Sequence, residues 1–488
     1  MVRGLGIAVA LGLLVSGCGE SGRPSADPPS ASAEAAAPPA TNPLDDAQLR
    51  LTLANSAKRL CSAVYVSGRT LEHVVSEELD EAAAMGLHFE LDDDPPAAIG
   101  SAAGASALAV FRPNLGCTLV EPGGVEALLA QIDSAARLAP IEPDPAAQWP
   151  VGARVELPEA VDGLDLAAVD AAVREAFAEP DPANLRRTRA VVVVWGGRIV
   201  AERYAPPFGP DTPQLGWSMT KTATNALTGL LVRDGVLAVD PPAPVPDWQA
   251  EDDGRRAITL GQLLRMSSGL DFAEVYAVDR PSDVVEMLFG AGADDMGTFA
   301  ANKPLAHPPG SHWSYSSGTT NLIAWLHRRT FDELGDYLAF PRRRLFDPLG
   351  MASALIEPDA SGTFVGSSYM YATPRDWARL GLLYLRGGVW NGTRLLPAGW
   401  VDYSLTPAPA APNGQYGAQI WLNRGTGADG ADRPHPELPR DMFYLSGFEG
   451  QNVVAVPSAD LIVVRLGLTR SGESPVWALT RRILDAVN

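Results

Sequence analysis

Two kinds of hydrophobic pattern mark this chain, separated by stretches that carry neither. Residues 45–60 and 72–85 read as helices, the second rich in Glu and Ala, with Gly86 placed to end it. Residues 164–177 read as an amphipathic helix. Residues 190–195 and 198–204 are strand-like runs joined by Gly196-Gly197, which is a hairpin signal. Near the other end, 442–446, 451–456 and 461–466 are further strand candidates. A last helix over 475–487 places Val476, Leu479, Ile483 and Val487 at helical spacing. The middle, about 218–400, is mostly helical with long loops, and no internal repeat is visible. Strands and helices from both ends around a helical middle predict an α/β (α+β) domain, with an antiparallel sheet, terminal helices and a mainly helical insertion.

The start of the chain has a different character. Arg3, the apolar run 5–15 and then Ser16-Gly17-Cys18 form a secretory signal over 1–17, too short to span a bilayer as a helix. Val15-Ser16-Gly17-Cys18 also resembles a bacterial lipobox. That resemblance implies lipidation of Cys18 and a membrane anchor in the bacterial envelope, on the periplasmic or outer-membrane face. Residues 18–46, rich in Ala, Pro and Ser without apolar periodicity, read as a tether. Residues 47–150 mix helices and short strands in a small N-terminal α/β unit with no visible chemistry. A proline-rich stretch over 140–158 marks the boundary with a main domain over 155–488. Cys61 and Cys117 remain. Export places them where a disulfide persists, and the two are expected to pair.

Composition narrows the function. Of 488 residues, 46% are hydrophobic and 20% charged, so large cores form. The net charge of −20 repels phosphate backbones and disfavours nucleic acid as a partner. Three cysteines and six scattered histidines, His307 and His312 among them, offer no metal-ligand spacing, and no cofactor is implied. Asp294-Asp295 reads as a solvated loop.

The candidate chemistry lies at Ser218-Met219-Thr220-Lys221, which opens a helix continuing through Leu227, Leu230 and Leu231. Positions three apart share a helix face, so hydroxyl and amine lie one turn apart at a helix N-terminus. A serine alcohol is a weak nucleophile until a base takes its proton, and a buried lysine serves if its pKa falls. The chain has only three lysines, Lys58, Lys221 and Lys303, and uses arginine for its other basic residues. Arginine does not accept a proton, which sets Lys221 apart from surface decoration. About a hundred residues on, the run 308–318 carries Tyr315, a second base or proton relay if nearby cations favour its phenolate, and Ser317, a partner for Lys221 or substrate.

These residues resemble the serine β-lactamase and penicillin-binding family, on the class C β-lactamase and esterase side. The family's Ser-x-x-Lys matches Ser218 and Lys221, and its Tyr-x-Asn matches Tyr315-Ser316-Ser317 with serine in place of asparagine. Leu263 to Leu270, the stretch Tyr371 to Arg379 and Gly387-Gly388 follow family patterns as well. The resemblance covers about 155–488 and leaves 47–150 outside it. The third motif, Lys-Thr-Gly or His-Thr-Gly, falls on Leu445-Ser446-Gly447, where the basic residue is gone. In the family that cation fixes a substrate carboxylate. By the same resemblance, the N–H groups of Ser218 and Phe448 form an oxyanion hole.

Tyr-x-Ser together with the missing cation is similar to the branch containing the 6-aminohexanoate-dimer hydrolases and related esterases. The resemblance therefore implies a serine hydrolase acting through an acyl-enzyme on a small ester or linear amide. Trp217 and Trp313, next to the two motifs, are candidates to line an apolar pocket. Two other readings stand beside this one. One is a β-lactamase or D-Ala-D-Ala carboxypeptidase, and the other a non-catalytic envelope protein that binds through the same fold.

Overall fold

A computed structural model of the chain describes residues 44–132, 138–276, 281–427 and 429–487. The stretch read as a signal sequence, Cys18 and most of the expected tether lie outside the described residues.

The N-terminal unit begins with α1, Asp46–Tyr65. Asp45 caps it with a capping box, its side chain accepting from Ala47 and Gln48 N–H groups. Two short helices, α2 (Leu71–Glu77) and α3 (Asp80–Ala84), stand where the sequence predicts one helix over 72–85. The break at Glu78 has an electrostatic cause. Its carboxylate turns inward to Arg59, Arg69 and Arg189. Burial pushes this carboxyl up, but the three guanidiniums outweigh it and hold it well below the usual range. Four strands, β1 (His88–Asp93), β2 (Pro96–Ala102), β3 (Ala105–Arg112) and β4 (Gly116–Leu119), form an antiparallel sheet in that order. α1 packs on it through Ala57, Leu60 and Cys61, and a disulfide joins Cys61 to Cys117.

The unit is fastened to the rest of the molecule. Lys58 forms a buried ion pair with Glu357, which also accepts from Ser62 Oγ at 2.8 Å and Cys117 N at 2.6 Å. Arg470 donates to Asp80 and Glu81, and Arg189 to Glu77 and Glu78. The proline-rich boundary is packed too: Arg379 holds the carbonyls of Pro150 and Gly152 at 2.9 and 2.7 Å.

The main sheet is antiparallel, as the two chain ends predict. Helix α4, Leu166–Ala176, precedes the hairpin β5 (Thr188–Trp195) and β6 (Arg198–Tyr204). After the middle of the chain come β7 (Phe443–Gly447), β8 (Gln451–Val456) and β9 (Leu461–Gly467), and the order is Trp421–Leu422, β7, β8, β9, β5, β6. The closing helix, Val476–Asp485, packs beside α4. Alternation decides the two faces. Val191 and Val193 meet Val169, Val173, Leu479 and Ile483 of the terminal helices. Val192 and Val194 face the opposite way, into the larger core shared with the middle of the chain.

That middle supplies α5 (Thr220–Arg233), α6 (Asp283–Phe289), α7 (Ser317–Arg328) and α8 (Pro374–Leu385). Asp295 is not simply solvated: it caps the helix Met296–Ala301, accepting from Thr298 N at 2.9 Å, while Asp294 is exposed.

Candidate active site

Ser218 lies in a tight turn, Trp217–Met219, that leads into α5. Thr220 locks the turn. Its Oγ1 donates to Trp217 O at 2.7 Å and accepts from Met370 N at 3.0 Å. Trp217 has φ +47°, sparsely populated for so large a side chain, so the packing around it must hold it there. Two glycines permit the close approach. A Cβ on Gly216 would fall 2.2 Å from the Trp377 ring, and one on Gly447 would fall 2.1 Å from Gly216 O. The end of β7 thereby lies directly against the Ser218 turn.

Lys221 is one helical turn on and 2% exposed. Its Nζ stands 3.1 Å from Ser218 Oγ, 3.1 Å from Ser317 Oγ and 3.0 Å from Ser367 O. All three partners are neutral oxygens. The other two lysines are paired with carboxylates, Lys58 with Glu357 and Lys303 with Asp283. Burial pulls the Lys221 amine down to about 8, against a smaller upward pull from Glu274.

The donors and acceptors can be assigned. Ser317 Oγ donates to Glu274 Oε1 at 2.6 Å, and Ser317 N donates to Glu274 Oε2 at 2.7 Å. With its own proton engaged, Ser317 accepts from Lys221. The Ser367 carbonyl only accepts. As an ammonium, Lys221 donates to all three oxygens. Once it loses a proton, near pH 8, two protons remain for Ser317 and the Ser367 carbonyl, and the lone pair is left for the Ser218 hydroxyl.

Tyr315 completes the group. Its ring lies beside the pair, with Lys221 Nζ 4.9 Å from the ring centroid. The expected phenolate is not favoured. Burial and then Glu274 push the Tyr315 phenol up, against a weaker opposing effect of the Ser218 hydroxyl, so it holds its proton. Trp421 stacks on Tyr315 with centroids 5.3 Å apart, and Trp313 packs on Tyr416 and Trp421. Trp313 thus props the aromatic group behind Tyr315 instead of lining the pocket beside Ser218.

Trp217 does line that pocket, a cavity of about 70 Å³, with Ser218, Tyr276 and Phe448. Phe448 stacks on Tyr276 and meets Trp217 edge-on. Leu445 is buried in the core, and Ser446 Oγ accepts from Asn452 Nδ2 at 3.3 Å. The charged group at the rim is Arg59, from α1, and it is tied to Glu78 and Glu449. His307 and His312 stack with centroids 4.1 Å apart, and no cluster of three metal-ligating side chains occurs among the described residues.

The sequence matches the family model described as Beta-lactamase over residues 173–487. The chain belongs to the beta-lactamase family. A curated relative, the 6-aminohexanoate-dimer hydrolase of Paenarthrobacter ureafaciens, is 27% identical over 315 residues, 59% of this chain and 75% of that one. A penicillin-binding protein homologue from Caulobacter crescentus shares the fold, with TM-score 0.52 and 18% identity over 68% of this chain and 99% of that one. A family VIII carboxylesterase does too, with TM-score 0.51 and 16% identity over 69% and 98%. This member of the beta-lactamase family is a serine hydrolase.

Several residues of the site escaped the sequence reading. Glu274 and Tyr276 follow the Leu263–Leu270 stretch by a few positions, and an isolated carboxylate there carries no spacing signal. Ser367 acts through its carbonyl, which no side-chain pattern reports. Arg59 comes from the unit outside the family match.

Proposed function

We propose that the protein hydrolyses small neutral esters or linear amides through an acyl-enzyme, with Ser218 as nucleophile, Lys221 as base and Tyr315 as proton relay. The observation that carries this reading is the Lys221 amine, buried among neutral oxygens with its Nζ 3.1 Å from Ser218 Oγ. As Ser218 Oγ bonds to the substrate carbonyl carbon, its proton passes to Lys221 Nζ. The oxygen that becomes negative lies between the N–H groups of Ser218 and Phe448. Collapse breaks the bond to the leaving group. That group takes the Tyr315 proton, which Lys221 replaces. Water then repeats the sequence in reverse and frees Ser218.

The substrate class follows from charge. Leu445 stands where a cation would fix a carboxylate, and Arg59 is already paired with Glu78 and Glu449. Among the described residues lining the cavity, apolar and aromatic side chains predominate. A neutral acyl group suits such a site better than a penicillin or a peptide C-terminus. The test is turnover of 4-nitrophenyl acetate and of nitrocefin by wild type and Ser218→Ala. Ester hydrolysis lost in Ser218→Ala supports the reading. Efficient nitrocefin turnover overturns the substrate class, and absence of fluorophosphonate labelling at Ser218 overturns the mechanism.

We further propose that the enzyme is held on a bacterial envelope membrane by lipid on Cys18. The lipobox-like Val15-Ser16-Gly17-Cys18 and the Ala/Pro/Ser-rich tether support it. No helix among the described residues is long and apolar enough to cross a membrane. Cys18→Ala should move the protein from the membrane to the soluble fraction, and unchanged fractionation would exclude the anchor.

A further inference from the structure

The family match begins at residue 173, yet one side of the cavity beside Ser218 is built by α1, more than a hundred residues earlier. Leu51 and Asn55 lie one turn apart on the same face of α1. Across the cavity stand Val285, Leu288 and Phe289 of α6. The space suits roughly five or six water-sized groups. Asn55 lines the cavity as a residue, and its Oδ1 is buried with no hydrogen-bond partner in the protein. Buried acceptors are ordinarily paired, and one facing a substrate pocket is satisfied when a donor arrives. The next turn of α1 carries Arg59, whose charge is matched by Glu78 and Glu449, so the wall presents an acceptor but no unmatched cation there.

We propose that α1 is the substrate-selecting wall of the enzyme. It receives an apolar chain on the substrate, and Asn55 Oδ1 accepts a hydrogen bond from a neutral donor, a hydroxyl or an amide N–H, near the chain's far end. This inference rests on the hydrolase reading and deepens it. It gives the N-terminal unit a task in specificity that the family fold alone lacks.

The test compares 4-nitrophenyl acetate, heptanoate and 6-hydroxyhexanoate on the full chain, the last two matched in length. Wild type is expected to prefer the hydroxy ester over heptanoate by about tenfold in kcat/KM, as a satisfied buried acceptor implies. Asn55→Leu should bring that ratio to one or below. Leu51→Phe narrows the cavity and should lower both long esters about tenfold relative to acetate. Calorimetric titration of Ser218→Ala protein with 6-hydroxyhexanamide and heptanamide reads the same preference without turnover, and so separates this inference from the hydrolase mechanism. A hydroxyl preference that is absent in wild type, or that survives Asn55→Leu in both assays, overturns the proposal and leaves Asn55 to a trapped water. Chain-length ratios unmoved by Leu51→Phe overturn α1 as the wall.

Discussion

Replacing Lys221 with methionine separates what the amine does for chemistry from what it costs the fold. The side chain is 2% exposed, and burial holds its amine at about 8 against an ordinary 10.5. That gap corresponds to roughly 3 kcal/mol, because each pKa step is worth about 1.4 kcal/mol. The unfolded chain keeps the proton up to 10.5, while the folded chain releases it near 8. The full cost is therefore present below about pH 8 and fades as pH rises toward 10.5. Methionine has a similar volume and carries no charge. Its presence leaves Ser317 bonded to Glu274, so the main loss is the donor to Ser367 O, about 1–2 kcal/mol. Lys221→Met should accordingly gain about 1–2 kcal/mol at pH 7, a rise of a few degrees in Tm, while activity falls at least about 10³-fold. Thermal unfolding at pH 7 and pH 10, paired with ester hydrolysis, is the assay. The stability advantage should shrink at pH 10. A variant less stable than wild type at pH 7, or one whose stability difference ignores pH, would refute the buried-amine reasoning.

Other perturbations reach the same site from different sides. In wild type, kcat/KM should rise about tenfold per pH unit up to near pH 8 and then level, since only the neutral amine accepts the Ser218 proton; a flat profile from pH 6 to 9 would remove Lys221 as base. Glu274→Gln removes the charge that pulls the amine upward, so the limb should move to lower pH while kcat drops as Ser317 loses its anchor; an unmoved limb would show that Glu274 does not act on Lys221. Gly447→Ala places a methyl 2.1 Å from Gly216 O, and kcat should fall at least about 10²-fold from displacement of the Phe448 N–H; wild-type turnover would place the oxyanion site elsewhere. Cys61→Ala should lower stability by roughly 4 kcal/mol on the chain-entropy model for a loop of this length, measured as a shift in urea midpoint that reduction of wild type reproduces.

What the sequence made legible follows from the range of each interaction. Terminal strands and helices announce themselves because alternation and helical spacing are local and are dictated by one buried face, as with Val191 to Val194 and Val476 to Ile483. Ser218 and Lys221 were legible for the same reason, being one turn apart on one helix. Residues joined only by folding were not. Glu274 reaches Lys221 through Ser317 across 43 positions, and α1 reaches the Ser218 cavity from the N-terminal unit. The helix over 72–85 failed where a long-range cluster of guanidiniums pulled Glu78 inward and overrode a favourable local propensity. Tyr315 was located from sequence, but its proton affinity depends on burial and on the neighbouring carboxylate, which spacing does not report.

The order of strands in the main sheet sets a timetable for biosynthesis. The hairpin formed by Thr188–Trp195 and Arg198–Tyr204 emerges first, but its inner partner, Leu461–Gly467, follows only after about 250 further residues. At roughly 5–20 residues per second the ribosome leaves that edge waiting for tens of seconds. A nascent chain of this kind leaves that edge unpaired until Leu461–Gly467 appears, and a message cut short anywhere before codon 461 yields no partial enzyme.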